Sequence, residues 1–424
     1  MISEEPCKPF FSLVQPADLL SLDALIRGLL LIYIAVLPFK ELLIVERNGF
    51  LVLLGLLVLW CLIHRRFFFP KTPFDAPLVT FVCWVGLTIP FSVFPEYSLK
   101  EFGKLLQQLI IFYAVVQFLS YRFFRQVLFT LIGSLTLAIS VKGLSQYDLD
   151  YPQAVVSFFP AEVWLTTFLV MVIPLAIATC FVADALWIRA ASLVTMLMAV
   201  ACLVSTQSRA GLLSLIAEFW ATTWLVRTRS SMLLAGILSL GLVVGFLVTL
   251  GVRGGTGTLE NGGNHFRMPF QTTVNSIIHR FDIWAFTLSE IQKHWLTGIG
   301  YGKDNFLKVY GQEEETPAIG HATVKKAGTH NILLYLALHI GIPGMFIFCW
   351  LYFSVVRKTI SESRMPEDWL ERAILCGVAG GIIGLAVRLQ FDHMFVGSLA
   401  VFFWVLVALA VLSYSPPREV GNMT

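Results

Sequence analysis

Charge is what this sequence has least of. Only 13% of its 424 residues are Asp, Glu, Lys or Arg, while 57% are apolar. A soluble globular chain carries about 25% charged residues, so a water-facing surface of ordinary composition is excluded. Apolar runs of about 17–25 residues recur from end to end, each long enough to cross a bilayer as a helix. The chain therefore reads as an all-α polytopic membrane protein. Its formal net charge of +3 says little about partners, because here the sidedness of charge matters more than its sum. No nucleic-acid partner is expected.

Cysteine is sparse too, and so are ligand motifs. Of Cys7, Cys61, Cys83, Cys180, Cys202, Cys349 and Cys376, all but the first lie inside apolar runs, and no two form a CxxC pair. They read as small buried hydrophobes, not as a disulfide framework or metal ligands. Neither Asp-x-Asp nor His-Glu-x-x-His occurs in a convincing context, so no metal and no cofactor are expected. A basic n-region is also missing: Glu4, Glu5, Asp18 and Asp23 dominate the first 23 residues, so the first span is expected to insert uncleaved.

What is present is a series of twelve predicted spans, near 24–39, 49–63, 77–94, 105–120, 127–144, 163–186, 189–206, 210–226, 232–252, 330–355, 372–390 and 393–414. Lys and Arg in the short loops set the orientation. One set of loops and tails holds fourteen, among them Arg65, Arg66, Arg122, Arg125, Arg227 and Arg372. The other holds five: Lys40, Arg47, Lys100, Lys104 and Arg209. The first set marks the cytoplasm, with both termini there. Three parts follow: spans 1–9 over 1–252, a large outer loop over 253–329, and spans 10–12 with a tail over 330–424.

The outer loop opens with RGGTGTLENGGNH, which has neither helix nor strand periodicity and suits a lid closing over a bound lipid. Beyond it, Ile277, Ile278, Phe281, Trp284, Ala285 and Leu288 recur at helical spacing. That pattern predicts an amphipathic helix lying on the membrane or capping the bundle.

Ionisable groups at or within spans are costly, so each is a functional candidate. Arg209, in STQSRAGLL, occupies a nearly loopless outer turn with Ser205, Gln207 and Ser208 around it. An arginine snorkelling to headgroups is its plainer explanation. Arg280 sits beside His279 and Asp282, a spacing that does not share one helix face. His330 and Asn331 open the tenth span. On a straight helix, His339 points about 180° from His330, while Gly341 and Gly344 return within about 20° and 40° of it. This predicts a polar crown at the outer end and small residues below that admit another helix. His339 then reads as structural. Arg388, Asp392 and His393 fall in a short outer turn and are expected to line the same cavity. Glu218 and Lys142, inside spans, read as a buried ion pair or packing groups.

Arg209, Arg280, His330 and Arg388 come from four separate stretches and all reach the outer side. Arginine forks grip phosphate oxygens in pairs and do not deprotonate. A neutral histidine, with an unperturbed pKa of about 6.5, can take a proton from a hydroxyl. The set suits a diphosphate leaving group.

Three of these stretches carry a resemblance. RAGLL (209–213), HRFDIWAFTLSEIQKHWLTGIGYGKDNF (279–306) and HNILLYLALHIG (330–341) resemble the motifs of the O-antigen ligase/polymerase superfamily, with Trp295 where proline is common. The resemblance covers about residues 200–345. It implies a twelve-helix bundle with a periplasmic helical cap and a GT-C-like glycosyltransferase architecture, in the bacterial inner membrane. The implied reaction transfers a preassembled glycan from undecaprenyl diphosphate to a sugar hydroxyl of lipid A-core, without a metal and with inversion. Arg209 and Arg280 would hold the diphosphate and His330 would activate the acceptor. Asn331, Arg388 and His393 are further candidates for substrate contact.

The same motifs serve O-antigen polymerases and protein O-oligosaccharyltransferases, which differ in acceptor. Arg267, Lys325 and Lys326 in the outer loop lean toward a phosphorylated core sugar. A transporter for an anionic lipid-linked glycan is the alternative from another class. Its ionisable groups would gather near the midplane, and its halves often repeat. Here the polar groups gather at one face, and the halves are unlike.

Overall fold

The computed structural model describes residues 21–148, 153–227, 269–311, 328–392 and 397–414, with single positions 232, 236 and 241. The rest of the predicted ninth span, the Gly-rich entry to the long loop, Arg267, Lys325, Lys326 and His393 lie outside the described residues. Side chains are described in 269–311 only from His279 onward.

Among the described residues the secondary structure is helical, with no β-strand. The helices are α1 (Leu22–Val36), α2 (Leu43–His64), α3 (Asp75–Thr88), α4 (Pro95–Phe118), α5 (Arg122–Leu144), α6 (Glu162–Val182), α7 (Leu186–Ser205) and α8 (Arg209–Val226). After the undescribed stretch come α9 (Pro269–Lys293), α10 (Asn305–Tyr310), α11 (Ile332–Glu362), α12 (Trp369–Arg388) and α13 (Gly397–Leu412). Six described segments are long and apolar enough to cross a membrane: Lys40–His64, α5, α6, α7, α11 and α12. Each matches a predicted span. Asp75–Phe91 and α13 are apolar but shorter. The chain is a polytopic membrane protein.

Composition sorts the helices by depth. A helix apolar on every side belongs inside the bundle. That is α13, GSLAVFFWVLVALAVL, in which all residues from Leu399 to Ala410 are buried. In contrast, α2 leaves Ile44, Leu62 and Ile63 at least 60% exposed, as expected of a helix facing lipid. At the centre, α12 lies against α6 and α8 on two stripes of glycine. A Cβ at Gly377 or Gly381 would fall 2.6 Å from backbone atoms of Leu175 and Met171 in α6. One at Gly380 would strike Thr222 of α8, and one at Gly384 would come within 2.8 Å of a Glu218 carboxylate oxygen. Small residues at this spacing let backbones meet, which is how helices associate where lipid removes the hydrophobic drive.

Of the two readings open for Glu218, a buried ion pair or a packing role, the ion pair is not formed. Its carboxylate is fully buried and has no hydrogen-bond partner among the described residues, whereas Lys142 is exposed. Glu218 serves the α8–α12 contact instead, fitting the space that Gly384 leaves.

The two ends of the bundle differ chemically. At one, Arg125 pairs with Glu371 at 3.1 Å and donates to the Leu412 carbonyl at 2.7 Å. Arg122 reaches Asp368, and Arg372 donates to the Val226 carbonyl. These residues sit at the starts of α5 and α12 and the ends of α8 and α13, and belong to the set predicted to face the cytoplasm. The opposite end gathers the starts of α6, α8, α11 and α13 and the end of α12.

α11 is not straight. Ile340 and Gly341 leave helical geometry, with Gly341 at φ 77° and ψ 166°. Two residues on, Pro343 has no N–H to return to the His339 carbonyl. The freed groups are all taken up by neighbouring chain. Ile299 N–H donates to Leu338 O (2.8 Å), Gly300 N–H to His339 O (3.0 Å), and Ile342 N–H to Trp295 O (2.8 Å). The Trp84 indole supplies the Ile340 carbonyl at 2.9 Å. Non-helical backbone at membrane depth is tolerated when protein satisfies it in this way. The straight-helix expectation is therefore corrected: Gly341 admits the 295–300 turn and not another helix. A Cβ there would lie 2.0 Å from the Leu296 carbonyl oxygen.

Helix α9 confirms the predicted periodicity and gives it two faces. Ile283, Thr287, Glu290 and Ile291 are buried, and Phe286 packs with Phe306 and Tyr310 of α10. The stripe picked out in the sequence looks outward, with Phe281 60% and Leu288 51% exposed.

Candidate active site at one end of the bundle

Two helix starts build this site in the same manner. Before α8, Gln207 adopts a left-handed backbone (φ 57°) and Ser208 caps the helix by accepting from Gly211 N–H at 3.1 Å. Arg209 is then the first helical residue and is exposed. Before α11, His330 is left-handed (φ 47°) and Asn331 caps, accepting from Leu333 N–H at 2.9 Å and Leu334 N–H at 3.1 Å. Left-handed backbone is uncommon outside glycine and tends to sit where function holds it. His330 thus lies before α11, on the turn that precedes its cap, so helical angles to His339 do not apply to it.

Asn331 also ties this turn to the end of α12. Its amide donates at 3.2 Å both to the carbonyl and to the side-chain oxygen of Gln390. Ile332 N–H donates to Leu389 O at 2.9 Å. His330 is therefore carried beside the segment 388–392, which holds Arg388 and Asp392. These two form an ion pair at 3.6 Å, both nearly buried, and Arg388 Nε has no partner among the described residues.

Arg280 arrives from α9. It is half-buried, donates to the Phe391 carbonyl at 3.1 Å, and lies 5.9 Å from the Phe391 ring centroid. It forms no ion pair with Asp282, as the spacing predicted. Burial pushes the Arg280 guanidinium below the ordinary arginine range; Asp392 opposes that shift and Arg209 adds to it. Arg388 is likewise within electrostatic reach of Asp392, Arg280 and Glu162, the first residue of α6. Arg209, Arg280 and Arg388 thus converge on one patch with Asp392 and Glu162, next to the His330 turn.

Sequence reasoning missed Glu162, Gln390 and Phe391. Glu162 had a signal, an acid at the outer end of an otherwise apolar span. Gln390 and Phe391 act through a carbonyl, a ring and an amide, which no motif records. His339 is structural as expected: it is fully buried, its Nδ1 lies 2.7 Å from the Tyr335 carbonyl, and its ring stacks on Tyr335 at 4.0 Å.

The segment that holds these parts is also the segment known elsewhere. Residues 193–349 match the family described as O-antigen ligase. Over that stretch the chain is similar to the O-antigen ligase family. No curated protein matches the chain. The matched stretch runs from α7 through the break in α11, so it contains Arg209, Arg280, His330 and Gly341 but not Arg388 or Asp392. The arginine cluster is therefore completed by a helix end outside the matched region.

Proposed function

We propose that this protein is an O-antigen ligase that moves a preassembled glycan from undecaprenyl diphosphate onto a sugar hydroxyl of lipid A-core. The observation that carries this reading is the convergence of Arg209 and Arg280, from separate elements, beside the His330 turn. Such a cluster offers paired donors to phosphate oxygens, and the start of α8 adds its own positive dipole end.

In the reaction, the acceptor oxygen attacks the anomeric carbon on the face opposite the diphosphate. The carbon–oxygen bond to the diphosphate breaks, undecaprenyl diphosphate leaves with the bonding pair, and the hydroxyl proton passes to His330. The product is inverted. Arg209 and Arg280 meet the charge that grows on the leaving group. Arg388 is too buried to meet it directly and holds the cluster from behind through Asp392. Asn331 fixes the His330 turn. The remaining framework of this proposal is a twelve-span, GT-C-like bundle in the inner membrane, divided at 252 and 329, with both termini cytoplasmic and the site under a periplasmic cap.

The test is a gel-shift transfer assay with purified protein in proteoliposomes, supplied with undecaprenyl-diphosphate glycan and lipid A-core. A glycan-capped ladder from wild type, lost in His330→Ala, supports the ligase. Longer lipid-linked glycan without capped product would make the enzyme a polymerase, and no new linkage at all would contradict the reading.

A further inference from the structure

The end of the bundle remote from the candidate active site carries cations that the chemistry above leaves unused. α8 starts at Arg209 and ends at Val226, and Arg227 caps that end in a left-handed backbone (φ 59°). One turn earlier Trp224 is exposed, and the Arg227 guanidinium lies 5.8 Å from its ring centroid. Arg364, from the connection between α11 and α12, lies 5.7 Å from the same ring. A third arginine, Arg372 in the first turn of α12, donates to the Val226 carbonyl at 3.0 Å, next to Arg227.

None of the three forms an ion pair with a described residue. The nearby acids are held by other cations: Glu371 by Arg125, Asp368 by Arg122 and Glu362 by Lys358. Asp184 and Glu367 are exposed and pair with none of the three. Like charges repel, so two guanidinium groups drawn to one ring are stabilised by an anion that both can reach. Trp224 also ends an exposed apolar stripe. Leu213, Trp220 and Trp224 all stand exposed on α8, at a spacing that shares one helix face, and Met365 beside Arg364 is 77% exposed. Tryptophan at the end of a membrane helix marks the headgroup level, and arginines at that level attract anionic headgroups. The stripe offers acyl chains a surface that a free ion would not use.

We propose that Trp224, Arg227, Arg364 and Arg372 bind the phosphodiester head of an anionic lipid, in the leaflet opposite the candidate active site. Its phosphate oxygens accept from the Arg227 and Arg364 forks, and its acyl chains lie along Trp220 and Leu213. Arg372 adds charge while keeping its bond to Val226. The lipid ties the end of α8 to the α11–α12 connection. α8 and α12 carry Arg209 and Arg388 at their other ends, so the lipid steadies the framework of the site without touching it. This assignment is independent of the ligase reading.

The experiment titrates full-length protein in detergent with phosphatidylglycerol or phosphatidylcholine and follows bound lipid by native mass spectrometry, with inorganic phosphate as competitor. The tightest phosphatidylglycerol is expected to weaken about tenfold or more in the Arg227→Gln/Arg364→Gln double variant. It should be unaltered in Arg65→Gln, which removes an exposed charge at the end of α2. Phosphatidylglycerol should also raise the melting temperature of the wild type more than that of the double variant. Equal affinity for phosphatidylcholine, or equal phosphatidylglycerol binding by the double variant, would overturn the assignment. So would displacement of the lipid by inorganic phosphate, which would give the arginines to a free anion.

Discussion

Arg280 is the residue through which the site is most exposed to test. It bonds a carbonyl on one side, faces Phe391 on another, and feels both Arg209 and Asp392. If it meets charge developing on the leaving group, Arg280→Ala should lower glycan transfer by about 10²–10³-fold, the range seen when one preorganised donor is removed. Arg280→Lys should recover only part of that, because an ammonium cannot reproduce the planar fork. Equal activity of the lysine and alanine variants would reduce Arg280 to a structural hydrogen bond. His330 has a different signature. As general base its loss should cost about 10²–10⁴-fold in turnover, with undecaprenyl diphosphate binding unchanged in a direct binding assay. Parallel loss of both would make it a positioning group.

At the scale of elements, the break in α11 connects the signature motifs. The turn at 295–300 supplies donors to Leu338 and His339, and Trp84 supplies Ile340, so Arg280's helix and the His330 helix share one joint. Gly341 occupies a backbone region that is essentially closed to other residues, at a cost of about 1–3 kcal/mol before any clash. Gly341→Ala adds a methyl 2.0 Å from the Leu296 oxygen, so it should destabilise by more than that range. The check is a lower melting temperature in detergent, together with lost transfer; an unshifted melting curve would mean the joint can relax. This element also marks what the sequence concealed. Gly341-Ile-Pro343-Gly344 carried a legible break signal, a glycine and a proline within an apolar run. Hydropathy alone passes over it, because a broken span is as apolar as a straight one. The partners that satisfy the break are about 40 and 256 residues away, beyond any local pattern.

At the scale of the molecule, hydropathy and charge carried most of the fold. Apolar runs located the six described membrane-length helices, and the Lys/Arg bias separated the residues now found at opposite ends. Arg209 and His330 were visible because a polar group at the end of a span needs a reason, whereas Arg280 stood out only through the resemblance of residues 279–306. Their convergence was not visible, because it depends on α9 folding back onto the 388–392 turn. Sidedness gives a further prediction. Single cysteines at exposed Lys303 and Arg66, in a background without other accessible thiols, should differ in intact spheroplasts: the first is labelled by a membrane-impermeant maleimide and the second is not. The reverse pattern would put the site in the cytoplasm.

The central claim is that groups from α8 and α9 act on one ligand. A double-mutant cycle on undecaprenyl diphosphate binding, using Arg209→Ala, Arg280→Ala and the pair, tests it most directly. Independent sites more than about 7–10 Å apart add within roughly 0.3–0.5 kcal/mol. One shared diphosphate predicts a coupling energy clearly above that, about 1 kcal/mol or more. Additive losses would mean that the two arginines serve different sites, and would contradict the account.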